Sequence, residues 1–171
     1  AIERPTEQTR RARSEVILDT GPGVDLPLQS YLPDSYIEED EVRLQIYRRM
    51  AEAKTPEDVE EIDVELRDRF GPLPEPAANL LYILRLRTLA ASTDITQLTV
   101  DPNSGQLVIQ LPGPGAVRFL VEAGILADKV RYGRRELYLP RLGSEEQWKQ
   151  ELEDAVLTLA TEAGEVAEAV V

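Results

Sequence analysis

The chain has 171 residues, 42% hydrophobic and 30% charged, enough for one domain with a sizeable core and a tail. Its 19 Lys and Arg against 32 Asp and Glu leave a net charge of −13, which argues against a phosphate-backbone binder with a basic footprint. It has no cysteine for a disulfide or thiolate site and no histidine, the usual general base and metal ligand.

No apolar run is long enough for a bilayer and no signal peptide is visible, so the expected setting is cytoplasmic, with no membrane partner. The first residue is Ala1, which suggests a piece of a longer chain.

Residues 1–24 mix charge, Thr, Gly and Pro without a period and read as a mobile linker. The arginines at 10, 11 and 13 supply too few phosphate contacts for nucleic-acid binding. Val24 to Leu32 alternates weakly around Pro27, which implies an edge strand or an extended arm. Pro33-Asp34 is a turn, and the flanking Tyr31 and Tyr36 are expected to pack on the first helix.

That helix is expected over Glu39 to Ala53, with Val42, Ile46, Tyr47 and Met50 inward and Leu44 off the stripe. Arg43, Arg48 and Arg49 are expected to pair with acids of the next helix. The central helix spans Thr55 to Phe70. Thr55 suits the N-cap, Pro56 the first turn, and Asp58 sits where a capping box needs an acceptor. Gly71 is a candidate left-handed cap, and Pro72 stops the helix. Val59, Ile62, Leu66 and Phe70 recur at helical spacing, and the acids Asp58, Glu61, Glu65 and Asp68 follow nearly the same spacing on another face. The acidic stripe is either a solvated face or a surface offered to a partner.

After the proline-rich corner at 71–76, Ala77 to Ala91 reads as a third helix. Leu80, Leu81, Ile83, Leu84, Leu86 and Leu89 cover more than one face, so it should be buried, with Arg85 and Arg87 outward. The period then changes. Gln97 to Val100 and Gln106 to Leu111 read as strands joined across Asp101 to Gly105. A short helix is expected over Ala116 to Ala123. A second hairpin pairs Lys129 to Tyr132 with Glu136 to Leu139. Ser144 and Gln147 form another capping box, opening a last helix with Trp148, Leu152, Ala155, Leu159 and Ala163 inward. Residues 164–171 carry poor stop signals. The fold class is α+β: a helical hairpin and central helix, then a small antiparallel sheet of two hairpins and a C-terminal helix.

No phosphate-binding glycine loop with its lysine is present. Glu65 and Asp68 could in principle serve as a carboxylate pair, but an exposed helix face lacks the desolvation that acid–base chemistry needs. A straight helix face also lacks the loop carbonyls that complete most divalent-metal cages. No catalytic residue, metal site or cofactor is expected. A carboxylate- or metal-dependent hydrolase is the alternative.

Three motifs carry a family resemblance: SYLPDSYI (Ser30 to Ile37), RLQIYRRMAEAKT (Arg43 to Thr55) and VELRDRFGPLP (Val64 to Pro74). In order and spacing the chain resembles the C-terminal domain of bacterial transcription-repair coupling factor, well over residues 25–95 and by element order beyond. The resemblance implies a regulatory domain over 25–171 within a DNA-translocating, ATP-driven parent. It implies that Glu65 and Asp68 face arginines of a UvrB-like module in the same parent chain, hiding a UvrA-binding surface until the motor engages RNA polymerase. Asp58 and Glu61 extend that stripe in this sequence. The expected function is a non-catalytic, autoinhibitory interaction domain that does not itself bind nucleic acid.

Overall fold

The computed structural model describes residues 21–169, with side chains through 162. The elements are β1 (Gly23–Val24), α1 (Asp40–Glu52), α2 (Pro56–Phe70), α3 (Glu75–Ala90), β2 (Gln97–Val100), β3 (Leu107–Gln110), α4 (Pro114–Glu122), β4 (Arg131–Tyr132), β5 (Glu136–Leu139) and α5 (Glu145–Ala169). The α+β expectation holds. The arginine cluster at 10–13 and most of the expected linker lie outside the described residues. The linker's expected end at residue 24 is too late, because Gly23 and Val24 already pair with Gln97 and Leu98.

The chain forms two compact units, one of Leu28–Thr88 and one of Pro22–Pro27 with Leu89 onward. In the first unit, α1 and α2 form the expected helical hairpin, joined at Ala53 to Thr55. Ile46 and Met50 of α1, Val59, Ile62 and Leu66 of α2, and Leu80, Leu81 and Leu84 of α3 share one core. Leu44 is off the stripe and exposed, as its spacing requires. The Tyr47 hydroxyl accepts a hydrogen bond from the Leu32 amide at 2.8 Å, which ties the incoming arm to α1.

α3 begins two residues before its expected start, at Glu75, where the last proline of the corner supplies the first turn. Its solvent side is a narrow row: Glu75, Ala78 and Arg85, with Tyr82 half-buried. Arg87 was expected outward and is instead 7% exposed. It lies two positions past Arg85, across the helix from that row, where a helix apolar on most of its circumference leaves no wet side.

The second unit is built on a five-stranded sheet of order β1-β2-β3-β5-β4. The two expected hairpins give its antiparallel part, and β1 adds a parallel edge strand, so the sheet is mixed. Leu98 lies opposite Ile109, Ile109 opposite Leu137, and Leu107 opposite Leu139, which places these five leucines and isoleucines on one face. In the first hairpin the Asp101 carboxylate accepts from the Asn103 amide and from the Ser104 amide and hydroxyl, and Gly105 closes the turn at φ 72°. The hydroxyl and amide bonds hold the Asp101 carboxyl below the usual range.

The Ser144–Gln147 capping box forms in both directions, at 2.8 and 3.3 Å. Along α5, Trp148, Leu152 and Leu159 are buried as expected. Between them it is Val156, fully buried, that continues the stripe, with Ala155 only partly covered. The expected stripe residue Ala163 lies beyond the described side chains. Among the described residues no helix is long and apolar enough to cross a membrane.

Candidate functional site

α2 is the element on which the site depends, and its start is fixed by chemistry at Thr55. The Thr55 hydroxyl accepts from the Asp58 amide at 3.2 Å, and the Asp58 carboxylate accepts from the Lys54 and Thr55 amides at 2.9 and 3.0 Å. Those two backbone bonds hold the Asp58 carboxyl below the usual carboxylate range. At the other end Gly71 has φ 88° and ψ −167°. This is not the left-handed helical cap expected from the sequence. It is an extended conformation at positive φ, open essentially to glycine alone.

The polar end of Tyr36 goes to this terminus rather than to α1. Its hydroxyl donates to the Leu66 and Gly71 carbonyls at 3.0 and 2.8 Å, and its ring meets Phe70 edge-on at 5.8 Å. Burial pushes the Tyr36 hydroxyl pKa up, the positive charge of Arg67 pulls it down, and Asp63 raises it. The Gly71 carbonyl, which the helix end leaves without an intrahelical donor, is thereby satisfied, and the Leu66 carbonyl gains a second contact.

The four acids of the expected stripe separate into two kinds. Asp58 serves the capping box. Glu65 is clasped by two arginines: Arg49 reaches it from α1, and Arg69 pairs with it from one turn further along α2 at 2.9 Å. The Glu65 side chain is 29% exposed. Glu61 and Asp68, by contrast, are exposed. They share a row with Glu57 and with Val64, which is 59% exposed. The spacing 57, 61, 64, 68 keeps this row on the side away from Ile62 and Leu66.

The expected pairing of α1 arginines with α2 acids therefore holds at Arg49. It fails at Arg43, which pairs with Asp40 of its own helix and donates to the Ile37 carbonyl. Three features of the face escaped the sequence reading: Arg69 as a partner of Glu65, the Asp63–Arg67 pair, and the exposed Val64. Both ion pairs have a four-residue spacing that was there to be read. Among the described residues no cluster of three or more acidic side chains is arranged to hold a metal ion. Chemically, the face can offer carboxylates and a small apolar centre to a cationic surface.

A helical hairpin leading into a buried helix and a small mixed sheet, with an acidic row on the second helix, defines an α+β domain. The TRCF domain family model matches residues 26–114, just over half of the chain. The chain belongs to the TRCF domain family. It is 38% identical over 105 residues to the transcription-repair-coupling factor of Mycobacterium tuberculosis, covering 54% of this chain and 8% of that protein. It is 48% identical over 82 residues to that of Escherichia coli, covering 48% and 7%. The chain thus spans less than a tenth of the length of these relatives. A solved structure described as the C-terminal domain of transcription-repair coupling factor has the same fold. The TM-score is 0.65 at 19% identity, covering 88% of this chain and 97% of that one.

Proposed function

We propose that residues 25–171 form a non-catalytic regulatory domain that folds back on a UvrB-like module of a longer parent chain and masks its UvrA-binding surface. In this reading the parent is an ATP-driven DNA translocase acting on stalled RNA polymerase in the bacterial cytoplasm. The domain itself binds neither nucleic acid nor membrane. The observation that carries the reading is the outward row of α2: Glu61 and Asp68 are exposed and flank an exposed Val64 in a chain of net charge −13. Such a face complements an arginine-bearing surface.

Tethering makes a weak contact sufficient. At an effective concentration near about 1 mM, a face with an intrinsic Kd of about 10 μM is roughly 99% closed. Release then requires only a few kcal/mol of differential binding by the motor, DNA or polymerase. Glu65 is already engaged by Arg49 and Arg69, so in this reading it shapes the face while Glu61 and Asp68 carry its outward charge.

The test is capture of UvrA by the full-length parent carrying Glu61→Arg and Asp68→Arg, with the fold checked by circular dichroism. Capture is expected to rise; unchanged capture in a folded variant overturns the reading. Nothing observed favours the hydrolase alternative.

A further inference from the structure

The second unit contains a cleft of about 160 Å³, partly open to solvent and lined by residues of that unit alone. Its floor is the apolar face of the sheet, formed by Ile109, Leu137 and Leu139. One wall is α5, through Ala155 and Leu159, and the other is the segment between α4 and β4, through Ile125 and Val130. That segment is a fixed turn: the Ile125 amide donates to the Leu120 carbonyl at 3.2 Å, and the Val130 amide to the Ala127 carbonyl at 2.9 Å. Lys129 pairs with Glu151 of α5 at 3.5 Å, and both line the cleft.

Size restricts the occupant. Sites for drug-sized ligands run to roughly 300–1,000 Å³, whereas a cavity of about 150 Å³ takes a single benzene. The cleft therefore suits one bulky side chain and is too small to bury a nucleotide or a large metabolite. Charge restricts it further. Glu151 and Asp154 at the rim outnumber Lys129, and α5 continues this sign with Glu145, Glu146 and Glu153 against Lys149. An acidic rim around an apolar floor is complementary to an apolar anchor flanked by cations. We infer that this cleft receives one phenylalanine-sized side chain from a basic segment of a partner protein, with Glu151 and Asp154 meeting the flanking cations. The inference is independent of the role proposed for α2.

The probes are three acetylated, amidated pentapeptides, Lys-Arg-Phe-Arg-Lys, Lys-Arg-Ala-Arg-Lys and Glu-Glu-Phe-Glu-Glu, titrated into the isotopically labelled 171-residue chain and followed by amide shifts. The first peptide is expected to move the amides of Ile125 to Val130 and Ala155 to Leu159. Loss of the buried ring should weaken binding by at least about tenfold, and reversal of charge by a similar factor. The Ala155→Leu variant, which fills the cleft, is expected to lose the response while keeping the melting temperature. Equal binding by the phenylalanine and alanine peptides overturns the inference. So do equal binding by the acidic peptide, shifts that avoid the cleft, and an undiminished response from folded Ala155→Leu.

Discussion

The Arg49 guanidinium of α1 pairs across the helical hairpin with the Glu65 carboxylate of α2, and Arg69 holds the same carboxylate from its other side. One of the two motif acids of α2 is therefore part of the domain's own framework, while the other, Asp68, three residues on, is exposed. This division makes the two acids experimentally separable.

Glu65→Arg removes both ion pairs and places a third guanidinium beside Arg49 and Arg69. With pairs of this exposure contributing about 0.2–1 kcal/mol each, the variant is expected to lose roughly 1–2 kcal/mol in urea unfolding. Asp68→Arg should stay within about 0.5 kcal/mol of the parent sequence. Equal losses at the two positions would remove the distinction between a framework acid and a surface acid.

The neighbours Val64 and Leu66 give a sharper contrast on one helix. Leu66 is fully buried and Val64 is 59% exposed. Leu66→Ala is expected to cost about 2–5 kcal/mol, from lost burial and the cavity left behind. Val64→Ala should change stability by less than about 0.5 kcal/mol. If α2 is a partner face, Val64→Ala should also raise UvrA capture by the full-length parent while leaving its melting temperature in place.

Tyr36→Phe deletes the hydroxyl that donates to Leu66 and Gly71, and should cost about 0.5–1.5 kcal/mol at neutral pH. The tyrosine's pKa is raised in the folded state, so its stabilising contribution is fully present below the unfolded value of 10.0. It is lost as pH rises through the higher folded value. The stability gap between the parent chain and Tyr36→Phe should accordingly shrink above about pH 10, read by denaturant titrations at several alkaline pH values.

At the opposite end of α2, Thr55→Ala removes the cap and should cost about 0.5–2 kcal/mol. Asp58 has a lowered folded pKa, so its contribution is present above the unfolded value of 3.8 and disappears as pH falls through the folded one. Asp58→Ala should melt at a lower temperature than the parent sequence at pH 7, and the two melting curves should converge in acid. A gap that persists unchanged at pH 2 would mean that the carboxylate is not what caps the helix.

Local chemistry made most of the elements readable. Thr55-Pro56 with Asp58, and Ser144 with Gln147, start helices because capping depends only on neighbours in sequence, and both boxes are formed. The spacing of Val59, Ile62 and Leu66 chose the buried side of α2, since a helix turns by a fixed angle per residue. Asp101 to Gly105 fixed a hairpin for the same short-range reason. What periodicity could not supply is the identity of distant partners. The parallel pairing of Gly23-Val24 with Gln97-Leu98 joins segments more than seventy positions apart, and no local pattern encodes it. The burial of Arg87, the place of Val156 at the core and the reach of Tyr36 to Gly71 depend likewise on what surrounds a position.

The sequence by itself determined that α2 would have one apolar side and one acidic side, because side-chain order along a helix is a matter of covalent spacing. Only the tertiary structure decided which acids remain outward. It brought Arg49 to Glu65 across the hairpin, and it laid α5 over the sheet so as to leave a cleft. Both results follow from packing between elements, where distance in space no longer follows distance along the chain.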